Sequence, residues 1–443
     1  MNVTSTIKEW LDERNVESVE MIVPDMAGIA RGKIQPVAEV TSKDFKLPIA
    51  IFAQTVNSDF YMPKENIEDR DMSLRPDVES LRLAPWATEP TASAIMDCYD
   101  INGQLVEASP RAVLKRVVEK FAERGWTPIV APEVEFYLTK APTSATDEAD
   151  PDDAVEAQLN DLADPYGIDG LHDLGGFFEQ LSEHCRIQDI PLGAVSQELG
   201  PAQFEVNFHH GPAVKLADDV FHFKRTIKRV AIAHGMRVTF LAKPSMDGPG
   251  SSMHIHQSVY DNSNENSFSD TDGGPSKLFE SYLGGLQQYM KSALLLFAPY
   301  ANSYRRFLSY YSSPVNLEWG VDNRTVGLRV PRSDANARRV ENRLAGSDVN
   351  PYLAIAGTLA CGYLGMTEGL SARPGVEGSA YELPFALHRH LYEALDALRG
   401  NSALREILGD DFVSQYCKVK ELEYREFQRH ISEWERDELM FSV

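Results

Sequence analysis

The sequence predicts an α+β protein in two parts, a small amino-terminal domain over residues 1–105 and a larger domain over residues 106–443 built on a sheet curved around a charged cavity. Three observations carry this. Residues 1–105 mix one helical stretch with strand-like pieces. Helical periodicity resumes abruptly at Pro110. Beyond it, several strand-like stretches repeat one pattern, apolar on one face and acidic, amide or imidazole on the other.

In chain order, the first part holds a short helix at 6–14 and strands such as 17–23 and 93–98, punctuated by Gly28, Gly32 and several prolines. At 110–121 apolar residues recur at helical spacing with proline in the first turn, which marks the start of the larger domain. The next stretch is central: Pro132-Glu133-Val134-Glu135-Phe136-Tyr137-Leu138 alternates, so Glu133 and Glu135 share a face while Val134, Phe136 and Leu138 enter a core. Like charges roughly 6–7 Å apart repel, and a cation between them is a natural reason to keep them together. One such strand alone is more often a solvated face; the later repeats change the balance.

Residues 141–185 contain no Lys or Arg but carry Asp147, Glu148, Asp150, Asp152, Asp153, Glu156, Asp161 and Asp164. An acidic insertion near 141–170 reads as a solvated surface loop, or as a rim whose field attracts cations. Next, 203–208 sets Gln203, Glu205 and Asn207 on one face, with Glu198 just before it. A basic helix at 214–234 (Lys224, Arg225, Lys228, Arg229) precedes the turn Asp247-Gly248-Pro249-Gly250-Ser251 and a strand that aligns His254, His256 and Ser258. Glu341 lies between Arg339 and Arg343. Asn350-Pro351-Tyr352 opens an apolar, small-residue run at 353–365 that reads as a buried helix, and helical patterns continue from Pro384 to an apolar tail of the kind used in subunit contacts.

With 443 residues, 43% hydrophobic and 25% charged, the chain has the composition of a soluble globular protein. No apolar run approaches a membrane span and no basic-then-apolar leader opens the chain, so a cytoplasmic location and no membrane partner are expected. The four cysteines, Cys98, Cys185, Cys361 and Cys417, form no CxxC pair and read as reduced thiols. A net charge of -23 argues against nucleic acid and suits a cationic substrate or metals.

Glu133, Glu135, Glu198, Glu205, Glu341 and His254 supply five carboxylates and one imidazole, a set that favours Mg²⁺ or Mn²⁺ over zinc. Two or more such ions with Arg306, Arg324, Arg329 and Arg343 are the parts of a phosphoryl-transfer site. No GxxxxGK[ST] loop is present, so a nucleotide would not be held in the P-loop manner.

Pro132-Glu133-Val134-Glu135, Glu198 with Glu205, Met253-His254-Ile255-His256, Asn302-Ser303-Tyr304-Arg305-Arg306, Asn323-Arg324, Arg338-Arg339-Val340-Glu341-Asn342-Arg343 and Asn350-Pro351-Tyr352 resemble, in order, the motifs of the glutamine synthetase superfamily. The pattern is most similar to its γ-glutamylpolyamine and γ-glutamyl-amine synthetases. The resemblance implies a β-grasp amino-terminal domain and a catalytic domain with a curved antiparallel sheet flanked by helices. It also implies a hexameric ring, stacked or single, with sites between subunits. Glu135, Glu198 and Glu205 would hold one metal, and Glu133, His254 and Glu341 another. His256 and Ser258 match positions near the nucleotide, Arg324 and Arg329 those on its phosphates, Arg306 and Arg343 those on the glutamate carboxylates, and Gly250 a glutamate-binding backbone position. The implied chemistry transfers the ATP γ-phosphate to glutamate, and an amine then attacks the acyl phosphate.

The departures bear on the acceptor. Ammonium-using members carry a glutamate six residues after the arginine matching Arg306; here Ser312 stands there, beside Tyr310 and Tyr311. A second ammonium-binding acid belongs in the neighbouring subunit's amino-terminal domain, where the count gives Asn57 with Asp59 close by. Losing a buried anion leaves NH₄⁺ without the charge that offsets its desolvation. The expected function is ligation of glutamate to an organic amine, a polyamine or a monoamine, aromatic ones included, with Asp59 the nominated proton acceptor. The alternative is a true glutamine synthetase using ammonium.

Overall fold

A computed structural model describes residues 3–40, 45–61, 69–140 and 164–443. Most of the acidic stretch, from 141 to 163 with Asp147 to Asp161, lies outside the described residues.

The first sheet comprises β1 (Ser18–Pro24), β2 (Ala30–Pro36), β3 (Phe45–Pro48), β4 (Asp71–Pro76), β5 (Arg82–Leu83) and β6 (Thr91–Tyr99), in the order β2-β1-β6-β4-β3 with β5 on β6. Its first and last strands, β1 and β6, pair in parallel at the centre, and its other pairings are antiparallel, the arrangement of a β-grasp sheet. Asp25 closes the β1–β2 turn: its Oδ1 accepts from the Ala27 and Ile29 amides, and Gly28 supplies a φ of +76°.

The second sheet contains β7 (Thr127–Lys140), β8 (Leu192–Gln197), β9 (Gln203–Phe208), β10 (Gly211–Pro212), β11 (Met236–Thr239), β12 (Met253–Tyr260), β13 (Trp319–Val321), β14 (Leu328–Val330) and β15 (Val340–Asn342). They run β13-β14-β15-β12-β7-β9-β8, with β10 and β11 also on β7. The expected antiparallel pairing holds along this sheet except at its edge, where β13 and β14 are parallel. The chain leaves β13 through Asp322, at a φ of +49°, and re-enters beside it in the same direction.

Alternation along β7 sends Val130, Val134, Phe136 and Leu138 into the core, where Phe136 packs against Phe204, Phe223 and Phe240. Behind the sheet the helix Pro351–Glu368 is buried along nearly its whole length, and Asn350 caps it through bonds from the Tyr352 and Leu353 amides. It crosses the helix Lys277–Tyr289 backbone to backbone: a Cβ on Gly285 would lie 2.3 Å from Cys361 O, and one on Gly365 2.2 Å from Ser281 O. Only glycine fits at either place.

Arg111, at the start of the helix Pro110–Ala122, ties the two sheets' neighbourhoods together. Its buried guanidinium binds Asp77 and Asp97 of the first sheet's region and Asp218 of the helix Ala213–Ala233. Among the described residues, no helix is long and apolar enough to cross a membrane.

Candidate active site

Register across the second sheet assembles the site. β12 sets His254 opposite Glu133, β9 sets Glu205 opposite Glu135, and β15 sets Glu341 opposite His256. Because alternation puts residues two apart on one face, Glu133, Glu135, Glu205, His254 and Glu341 converge with Glu198, Arg306, Arg324, Arg329, Arg343 and Gly250 on a cavity of about 310 Å³. Its volume suits a small ligand.

The carboxylates divide into two electrostatic classes. Glu133 and Glu341 have partners: Glu133 lies 3.0 Å from His256 Nε2 and 3.5 Å from His254 Nδ1. Glu341 receives Arg329 Nη1 at 2.7 Å and also Arg343 Nη1. Burial pushes both up, but the imidazoles hold Glu133 well below the usual carboxylate range, and Arg343 with the two histidines holds Glu341 down at about 2. Glu135, Glu198 and Glu205 are not so compensated. Burial raises all three; Glu205 and Glu198 raise Glu135 further, and Glu133 and Glu198 help push Glu205 up to about 8. Carboxylates crowded to the point of retaining protons are a donor set short of positive charge. Hard oxygen donors with one or two imidazoles fit Mg²⁺ or Mn²⁺.

Among the described residues, two groupings have metal-ligand spacing, Glu133 with His256 and Glu341, and Glu133 with Glu205 and His254, and in each the donor atoms lie within 4.8 Å of one another. Glu133 is thus common to both. His256 contacts the carboxylate cluster, because β12 points it to the same face as His254, but neither it nor Ser258, two residues further on, lines the cavity itself. Glu135 and Glu198 line the cavity without entering either tight group.

Four arginines, Arg306, Arg324, Arg329 and Arg343, line the same cavity. Arg306 is buried, and its pKa falls to about 10 through desolvation. Its Nη1 donates to Ser252 Oγ at 3.2 Å, and Arg343 Nη2 donates to Ser312 O at 3.2 Å. Arg306, Arg329 and Arg343 each keep a buried Nε without a partner among the described residues, a surplus of donors suited to an anionic ligand.

Ser312, Ser313 and Tyr311 line the cavity. Tyr311 and Ser312 both have a φ of +54°, so the loop that replaces the expected acid holds two consecutive non-glycine residues in the left-handed region. Tyr310 stacks edge-on against Tyr311 at 5.1 Å but does not line the cavity. Nor do Asn57 and Asp59, which bond to one another at 3.2 Å in a loop whose Val56 amide is held by Glu423. Tyr166 and Leu199 do line it and remain 57% and 40% exposed. Sequence reasoning missed both, since each sits in a connection with no periodicity to reveal its direction.

Fold and cavity together define an acidic, arginine-rich pocket on a curved sheet, and residues 107–439 match the family pattern described as the glutamine synthetase catalytic domain. The chain belongs to the glutamine synthetase family. Within it, the chain is an ATP-dependent glutamate–amine ligase. It is 33% identical to the γ-glutamylputrescine synthetase PuuA of Escherichia coli K12, over 98% of this chain and 93% of that one. It is 30% identical to a glutamate–isopropylamine ligase of Pseudomonas sp., over 97% and 96% of the two chains. Glutamine synthetases are among its relatives as well. The solved structure of ligand-free GmaS superposes with a TM-score of 0.85 at 26% identity, over 98% of this chain and 99% of that chain.

Proposed function

We propose that this ligase joins the γ-carboxyl of glutamate to an organic amine rather than to ammonium. The observation that carries the reading is Ser312: at the acceptor position the cavity wall offers a hydroxyl and the half-exposed surfaces of Tyr166, Leu199 and Tyr311 instead of an anion. A bare ammonium ion needs a fixed negative charge to leave water, whereas an amine with an apolar body recovers part of its desolvation from contact area and from tyrosine faces.

In this reading Glu133, Glu135, Glu198, Glu205, His254 and Glu341 hold two or more Mg²⁺ or Mn²⁺ ions, with His256 beside them. When bound, the ions neutralise phosphate charge. Arg324 and Arg329 face the ATP phosphates, with His256 and Ser258 on the nucleotide side. Arg306, Arg343 and the Gly250 backbone orient glutamate. The γ-carboxylate takes the γ-phosphoryl group, giving γ-glutamyl phosphate and ADP. The amine then attacks the acyl carbon, phosphate leaves and the nitrogen loses a proton. An alkylamine of pKa near 10.4 is only about 0.04% free base at pH 7, a handicap of about 4.6 kcal/mol, so a proton acceptor is required. Asp59 and Asn57 are assigned there only as residues of a second copy of the chain, in a six-membered ring, with Tyr310 on the outer wall. Residues 1–105 and 106–443 are the two domains of this arrangement.

A phosphate-release screen tests the reading, with ATP, Mg²⁺ and glutamate offered ammonium, diamines, polyamines, alkylamines and arylalkylamines. Release with organic amines and little with ammonium is the expected result; efficient release with ammonium alone would make the protein a glutamine synthetase. Glu341→Ala is expected to lower turnover with every acceptor by at least about 100-fold, because it removes a donor shared by the metal cluster and two arginines.

A further inference from the structure

The turn before β12 is held in an unusual way. Four successive carbonyls each accept from a side chain of a different element or loop: Asp247 O from Tyr311 Oη at 3.0 Å, Gly248 O from Lys243 Nζ at 2.5 Å, Pro249 O from Tyr137 Oη at 2.8 Å, and Gly250 O from Gln203 Nε2 at 2.9 Å. Gln203 reaches furthest. Its amide also donates to Glu135 Oε2 at 3.2 Å, and its Oε1 accepts from the Gly200 amide at 2.9 Å. Tyr137 Oη, whose single proton goes to the nearer Pro249 O, lies 3.2 Å from the same Oε1. The reverse amide orientation would set an NH₂ against the Gly200 N–H, so the network admits only one. Gln203 and Tyr137 are 2% and 3% exposed, which makes each bond costly to lose.

One carboxamide therefore joins three things: a carboxylate of the acidic cluster, the turn just after Glu198, and the Pro249–Gly250 backbone on the cavity wall. The Ser252 amide closes the circuit by donating to the same Glu135 Oε2 at 2.7 Å, while Ser252 Oγ receives Arg306. A cation that draws Glu135 toward itself pulls on Gln203 and Ser252, and through them on the Gly250 end of the turn.

We propose that Gln203 is a positioning residue that couples occupation of the metal site to the shape of the glutamate site, a role that rests on the reading of this cavity given above. Binding of either ligand then tightens the other by the same factor. The test is calorimetric titration of Mn²⁺ into the full-length enzyme with and without glutamate, alongside steady-state kinetics. Wild type is expected to bind Mn²⁺ at least about 5-fold more tightly with glutamate present. Gln203→Met, similar in volume and unable to hydrogen-bond, is expected to bring that ratio close to one and to raise KM for glutamate about tenfold, with KM for ATP nearly unchanged. Tyr137→Phe, a gentler change should the first fail to fold, is expected to move both quantities the same way by less. The proposal is overturned if wild type shows no synergy, or if the variants lose thermal stability or kcat while the ratio and the glutamate KM stay at wild-type values. Absence of glutamate binding to wild type would instead remove the functional reading beneath it.

Discussion

At the scale of single residues, the site is a contest between carboxylates that have partners and carboxylates that do not. Glu205, pushed up to about 8 by burial and by Glu133 and Glu198, keeps a proton at neutral pH in the metal-free chain. A metal held by Glu205, as proposed, must displace that proton, so apparent Mn²⁺ affinity is expected to rise from pH 6 to pH 8 and then level off, as titration at several pH values would show. The sign for stability is the reverse. A carboxyl whose folded pKa is raised binds protons more tightly folded than unfolded, so its contribution to the metal-free protein falls as pH climbs from about 4.5 to 8. Added Mg²⁺ is expected to restore melting temperature most strongly at the upper end. Ser312→Glu addresses the acceptor: returning an anion beside Arg343 is expected to shift kcat/KM toward ammonium over the preferred organic amine by about tenfold or more, equivalent to about 1.4 kcal/mol. Unchanged preference would count against the pocket assignment.

At the scale of elements, steric fit overrides intrinsic propensity. Gly285 sits inside a helix, where alanine would ordinarily gain up to about 1 kcal/mol. Its missing Cβ is what lets the helix Lys277–Tyr289 lie against the backbone of Pro351–Glu368. Gly285→Ala is therefore expected to destabilise by about 3 kcal/mol despite the better helix former, measurable by denaturant unfolding. Here too lies the boundary of what the sequence discloses. Strand alternation exposes Glu133, Glu135, Glu205, His254 and Glu341, because a period of two is written into consecutive residues. It also holds the signal for Tyr137, which shares parity with the glutamates although its hydroxyl partner lies 112 positions away. Register between strands is what a single sequence does not show, so it leaves open that Glu205 groups with His254 and that His256 joins the acidic cluster. The parallel pairing of β13 with β14 and the placement of Tyr166 and Leu199 depend on connections whose course only tertiary contacts set.

At the scale of the whole molecule, the first sheet is joined to the catalytic sheet by charge as much as by apolar packing. Arg111 meets Asp218 through Nε and Nη2 at 3.0 and 2.8 Å, and Tyr352 Oη donates to the same aspartate at 2.7 Å. Lys115 Nζ shares Asp77 and Asp97 at 3.1 and 2.7 Å. Arg111→Ala would leave Asp218 buried with only a tyrosine for company, and a loss of about 3–5 kcal/mol is expected, with the two sheets' regions unfolding in separate steps in calorimetry. A single cooperative transition at near-wild-type temperature would show the joint to be held by packing alone.

The pair of left-handed residues at Tyr311 and Ser312 would give the proposed site a particular evolvability. In the proposed arrangement most of the metal donors, Glu133, Glu135, Glu205, His254 and Glu341, sit on strands, whereas Tyr311 and Ser312, assigned to the incoming nitrogen, ride on a short irregular link outside the ladder. On that assignment, new nitrogen nucleophiles would be recruited by rewriting a handful of codons around 308–313, leaving the energy-coupling half of the catalyst untouched.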